Sequence, residues 1–263
     1  MDKVLIFGTS HTNCLARALP DFKKEAGDDI SFEVVARGPM GLPGGLCVTN
    51  HAGEKIPNPL IDYATQAANM RRGNRIWLIS VLAMNNANTT GMFRDSAAPF
   101  AVASRAEDGT ETVVGSGRVI DEDLIKRGHL ARLESHKEGL KTLKSLKPHR
   151  VVQLAPYQIM RDPDEIVELL SQFPERLAAR GVTADEIQVN PVELRKKIWD
   201  MEFEACKIVA EEAEVDFLVS DNHMIGEDGM RGIDSSLDPA HCTPEWGLEI
   251  LRQLKGHIEQ AAG

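Results

Sequence analysis

Five short runs of the chain are almost continuously apolar: Val4 to Gly8, Phe32 to Arg37, Arg75 to Ser80, Arg150 to Ala155 and Asp216 to Ser220. A strand with one wet face alternates apolar and polar residues, whereas a strand covered on both faces does not, so these runs predict strands buried in a parallel sheet. The stretches between them are helix-compatible: Thr12 to Ala26, part of Leu60 to Met70, Leu130 to Ser145, Asp164 to Ala179 and Val192 to Glu214. Alternation of strand and helix along a whole chain implies βαβ units with right-handed crossovers. The expected fold is therefore α/β, a three-layer doubly wound sheet of five parallel strands in flavodoxin-like order, with residues 1–263 forming one domain. A last helix, Pro244 to Gln260, is expected to open with Thr243 as N-cap and Pro244 at the first helical position.

Two regions depart from the repeating unit. Residues 86–123 hold alternating segments, Phe100 to Ala106 and Thr110 to Ile120, around Glu107-Asp108-Gly109, which predicts an inserted β-hairpin flap with an Asp-Gly turn. Asp221 to Leu237 is a loop rich in glycine and aspartate, long enough to reach over the carboxyl edge of the sheet.

A formal charge of −10 opposes binding to a phosphate backbone, which needs clustered Lys and Arg, so nucleic acid is not an expected partner. Only Val4 to Phe7 are strongly apolar near the N-terminus, too few for a signal peptide or a membrane span, and the expectation is a soluble, cytoplasmic chain without a membrane partner. The four cysteines are far apart, with no CxxC pair, and are expected to be reduced.

In open α/β sheets ligands bind beyond the carboxyl ends of the strands, so the turns after each strand are where chemistry is sought. After the first strand comes Gly8-Thr9-Ser10-His11, leading straight into a helix. A serine there presents its hydroxyl and a backbone N–H at a helix N-terminus, suited to a nucleophile and an oxyanion donor; equally, Ser10 or Thr12 serves only as a helix cap. Neither GxGxxG nor GxxxxGK[ST] is present at this turn. The second strand is followed by the glycine-dense segment Arg37 to Gly45, and the third by Ala83-Met84-Asn85-Asn86. Asp238-Pro239-Ala240-His241, just ahead of the last helix, carries the strongest local signal. A carboxylate three residues before a histidine can take the Nδ1 hydrogen and leave Nε2 to accept a proton from a serine. The competing reading makes His241 a surface histidine and Asp238 a turn former.

In order, spacing and strand context these blocks resemble the SGNH, or GDSL-like, hydrolases, over nearly the whole span from Val4 to Gly247. The resemblance implies Ser10 as nucleophile, Asp238 and His241 as its general-base pair, and an oxyanion hole built from Ser10, Gly38 and Asn85. Thr9, Ala83 and Asn86 stand where the family has aspartate, glycine and aspartate. Esters are the implied substrates, either simple carboxylic esters or acetyl groups on sugars and other glycans, with no cofactor. His11, Asn86 and His223 are further candidates for contact with substrate. A metal site from His11, His223, Asp238 and His241 has no recognised ligand spacing. Two rivals use the same fold: a catalytically silent glycan- or acyl-binding module, and an acyltransferase.

The charged residues Arg195 to Lys197 and Glu202 to Glu214 are expected to form a solvated helix face, with Trp199, Phe203 and Ile208 in the core.

Overall fold

The computed structural model describes residues 2–27, 29–35, 45–69, 73–81, 91–178 and 181–262. In chain order the first elements are β1 (Asp2–Gly8), α1 (Thr12–Ala26), β2 (Ile30–Val34), the small hairpin of β3 (Cys47–Thr49) and β4 (Lys55–Pro57), α2 (Pro59–Asn69) and β5 (Arg75–Val81). Next come β6 (Phe100–Arg105), β7 (Glu111–Gly115), β8 (Arg118–Asp121), α3 (Glu122–Ser145), β9 (Arg150–Leu154), α4 (Pro163–Ser171) and α5 (Pro174–Ala178). The chain closes with α6 (Val192–Glu212), β10 (Asp216–Leu218), β11 (Ser236–Asp238), β12 (His241–Cys242) and α7 (Pro244–Ala262).

The main sheet has the order β10-β9-β5-β1-β2, with every pair parallel. Counting only its five members, this is the flavodoxin-like order expected from the sequence. Side chains alternate across the pleat, so each strand feeds two cores. Val4 and Ile6 of β1 join Trp77 and Ile79 of β5 against α1 and α7, through Leu15, Phe22, Trp246 and Ile250. Leu5 and Phe7 join Leu78 against α2, α3 and α6, through Ile61, Leu140 and Val209. Burial on both faces is why these strands read as unbroken apolar runs.

Several sequence expectations are corrected in detail. α3 starts at Glu122, well before Leu130, because Asp121 caps it: its carboxylate accepts the amide of Asp123 at 2.8 Å, and Glu122 and Asp123 suit the positive end of the helix. The helix expected over Asp164 to Ala179 is broken into α4 and α5 ahead of Pro174, which has no amide hydrogen to give and disfavours the α conformation at Phe173.

The expected hairpin is a three-stranded sheet of order β7-β6-β8. Its Asp-Gly turn forms as anticipated, with the amide of Thr110 donating to Asp108 at 2.9 Å and Gly109 at φ 84°. The second arm is split by Gly115 and Gly117, at φ 102° and 105°, which return the chain so that β8 runs parallel to β6. Val102 is wholly buried with Leu194, Ile198 and Met201, so this sheet packs on the helical layer.

On α6, Arg195 and Glu202 are buried, at 2% and 1% exposure, and do not belong to the solvated face expected of them. The buried stripe runs through Leu194, Ile198, Met201, Ala205 and Val209, leaving Trp199, Phe203 and Ile208 half-buried. Among the described residues all four cysteines are free thiols, and no helix is long and apolar enough to cross a membrane.

Candidate active site

β1 ends at Gly8, where a side chain has no room: a Cβ would lie 2.5 Å from Cγ2 of Thr12 and 2.9 Å from Cβ of Val81. The close approach lets Thr9 to His11 turn tightly into α1. Amides of Thr12 and Asn13 donate to the carbonyls of Thr9 and Ser10, both at 3.0 Å. The Thr12 hydroxyl bonds the Thr9 carbonyl at 2.8 Å, and the helix has no side-chain N-cap. Ser10 is thus not spent on capping.

Its Oγ lies 2.7 Å from Nε2 of His241, 231 residues away. On the other side of the ring, Nδ1 of His241 is 2.9 Å from both carboxylate oxygens of Asp238. With the ring hydrogen on Nδ1 and donated to Asp238, Nε2 accepts from the serine hydroxyl. Asp238 is 5% exposed and cannot relax into water. Its Oδ1 also accepts the amides of Ala240 at 2.8 Å and His241 at 2.9 Å, so the four-residue turn folds around its own carboxylate. β11 and β12 are the antiparallel arms of that turn, and Asp238 pairs with His241 across it.

What fixes the turn is Arg231, from the loop after β10. The residue is fully buried, and its guanidinium donates from Nη2 to the Pro239 carbonyl at 2.7 Å and from Nη1 to Oγ of Ser236 at 2.8 Å. Nε reaches back to the carbonyl of Gln158. A planar fork with several donors suits this task, since it ties three segments at fixed angles. No sequence signal separated Arg231 from the other charges of a polar loop.

Beneath the catalytic-type pair lies His11, 8% exposed, its ring 5.3 Å from that of His241 and edge-on to Tyr157 at 5.4 Å. Burial, then the nearby His241 and Arg231, push its pKa down to about 3, so the ring is neutral. Cys14 and Cys242 are buried close by, their thiols pushed up by burial to about 12 and about 11, which leaves them protonated and inert. Neither is a rival nucleophile.

A cavity of about 330 Å³ opens beside His241. Met92, Phe93, Leu170, Leu177, Val182 and Ile187 give it apolar walls, and Asp238 to His241 form one side. The wall at Met92 and Phe93 is stapled by Asn190, whose amide donates to the carbonyls of Gly91 and Phe93, both at 2.9 Å. Arg195 in turn holds Asn190, donating to its carbonyl at 3.0 Å, and also donates to those of Met160 and Arg161. Asn190 and Arg195 were not legible as site supports.

The structure therefore brings Ser10, Asp238 and His241 together, with His11 buried under them instead of lining an open wall. His223 is elsewhere: it is exposed, 3.6 Å from Glu249, in a surface depression with Arg161 and Glu165. Gly38, Asn85 and Asn86 lie outside the described residues. Among the described residues no group of three or more His, Cys, Asp or Glu is arranged to hold a metal ion.

Fold and geometry define a class: an open parallel α/β protein with a Ser–His–Asp arrangement beyond the carboxyl end of its first strand. Solved structures similar to it along nearly the whole chain include a GDSL-like lipase from Bacteroides thetaiotaomicron, with 15% identity, coverage of 98% of this chain and 88% of that one, and a TM-score of 0.43. A lipase/acylhydrolase from Enterococcus faecalis shares 13% identity over 98% of this chain and 97% of its own, with a TM-score of 0.39. No family model matches the chain, and no curated protein matches it.

Proposed function

We propose that the protein hydrolyses carboxylic esters through an acyl-enzyme on Ser10. The observation that carries this reading is the unbroken relay of contacts from Ser10 Oγ to His241 Nε2 at 2.7 Å and from His241 Nδ1 to Asp238 at 2.9 Å. Oγ attacks the ester carbonyl carbon as its proton passes to Nε2, and the carbonyl oxygen takes up the negative charge. The C–O bond to the alcohol then breaks, and the imidazolium returns the proton to the departing alkoxide. Water repeats the sequence on the acyl-enzyme, with His241 as base, and releases the carboxylic acid and free Ser10. Asp238 keeps the ring in the tautomer this needs and stabilises the imidazolium. The backbone N–H of Ser10, that of Gly38 and the amide of Asn85 are assigned to the oxyanion, where each donor is commonly worth about 10²- to 10³-fold in turnover. The scheme requires no cofactor.

Met92, Phe93, Leu170, Leu177, Val182 and Ile187 offer an apolar substituent of the ester a surface to bury, and Arg94, Glu186 and Gln188 of the same cavity can serve its polar groups. The test is a fluorophosphonate probe followed by peptide mass spectrometry, alongside hydrolysis of p-nitrophenyl esters. Labelling at Ser10, lost in Ser10→Ala and strongly reduced in His241→Ala, is the expected result. A folded wild-type protein that neither takes the label nor turns over any ester would overturn the reading.

A further inference from the structure

A second cavity, of about 460 Å³, shares no lining residue with the one beside His241. It lies between the small sheet and the helical layer, with apolar walls from Phe100, Ile120, Ile125 and Ile198. Gly128 of α3 is part of its lining. Glycine inside a 24-residue helix is costly in backbone entropy, so its presence asks for a reason. Close packing is not that reason, because a Cβ at Gly128 would meet nothing within 4 Å. This contrasts with Gly139 of the same helix, where a Cβ would lie 2.7 Å from that of Leu46. What a side chain at position 128 would occupy is the cavity.

The polar lining carries one sign of charge. Arg118 of β8 and Arg132 of α3 are both exposed, and among the described residues no Asp or Glu lines the cavity. In a protein with a formal charge of −10, two guanidiniums beside an apolar hollow put positive charge at its mouth. Guanidinium matches a carboxylate in shape and donates to it through two parallel bonds. We propose that this cavity is a second ligand site, separate from the Ser10 site, for a small amphipathic carboxylate whose apolar body fills the space at Gly128 and whose charged end meets Arg118 and Arg132.

Titration calorimetry with 4-phenylbutyrate, and with its neutral amide as control, tests this on the intact chain. The expected result is saturable binding with a Kd of about 1 mM or tighter, at least about ten-fold weaker for the amide. Gly128→Leu, which fills the hollow, and Arg118→Gln with Arg132→Gln, which removes the charge, are each expected to weaken binding at least about ten-fold without changing ester turnover. Gly128→Ala adds one methyl in open space and serves as the folding control, retaining binding. Because the two arginines are exposed, the double variant remains decisive even if Gly128→Leu fails to fold. The proposal is overturned if wild type does not bind, if the amide binds as well as the acid, or if both variants bind like wild type. It is equally overturned if sedimentation shows a dimer that Gly128→Leu dissociates, since the hollow would then be covered by a second copy.

Discussion

Nη2 of Arg231 and the carbonyl oxygen of Pro239 are 2.7 Å apart, a bond that pins the middle of the turn between Asp238 and His241 from beneath. The arginine touches neither Ser10 nor His241's ring nitrogens. Its bonds hold the turn, and removing it should misplace the imidazole while leaving every proposed catalytic group in the chain.

Arg231→Met is expected to leave the buried carbonyls of Gln158 and Pro239 without their donors, each at a cost of about 1–3 kcal/mol. Arg231→Lys keeps the charge but loses the fork, and should recover only part of that loss. Chemical denaturation and kcat measured on the same samples check this. A fall in kcat with unchanged stability would show that Arg231 does more than support the turn.

Gly247, one turn into α7, faces the main chain of α1. A Cβ there would lie 2.4 Å from the Cys14 carbonyl oxygen and 2.9 Å from the Leu15 amide nitrogen. Gly247→Ala is therefore expected to force the two helices apart, costing about 1–3 kcal/mol of stability despite the better helix propensity of alanine. Because α1 follows Ser10 and α7 follows His241, the same shift lengthens the 2.7 Å contact between them. Displacements near 1 Å can cost about 10²-fold in rate, so ester turnover should fall more steeply than stability.

His11 gives a pH dependence of known sign. Its pKa is depressed to about 3 in the fold, whereas the unfolded chain binds that proton near its ordinary value of 6.5. Below pH 6.5 the unfolded state therefore takes up a proton that the native state refuses, and stability declines down to about pH 3 by up to about 1.4 kcal/mol per pH unit. Denaturant midpoints measured from pH 7 to pH 4 should show a shallower decline in His11→Phe, which keeps a ring beside Tyr157. Parallel slopes in the two proteins would mean that His11 is not buried as a neutral ring.

Val182 is half-buried in the wall of the cavity beside His241. Val182→Phe should reduce kcat/KM for aryl or medium-chain esters by about 10- to 200-fold, the range that pocket volume commands, and leave acetyl esters nearly unaffected. Equal losses across the series would place the substrate's apolar group elsewhere.

The strand pattern was readable because burial on both faces writes itself as unbroken apolar runs, and the Asp238 to His241 turn because a local spacing carries its own geometry. Arg231, Arg195 and Asn190 were not, since a charge or an amide in a loop or on a helix looks solvated until the carbonyls it serves are brought to it from distant segments. The early start of α3 was hidden by its polar first turns, although the Asp121 cap was in plain view. Pro174 carried a warning that the helix after Asp164 would break, and the helix-compatible residues on either side masked it.

The pairing of residue 10 with residue 241 also has a consequence for biosynthesis. The serine leaves the ribosome ahead of four of the five sheet strands, but its partner histidine follows only after all five have been made, and the helix that seats the turn comes later still. A nascent or prematurely terminated chain thus carries the serine without the imidazole that would activate it, so the proposed chemistry is gated by translation reaching the turn.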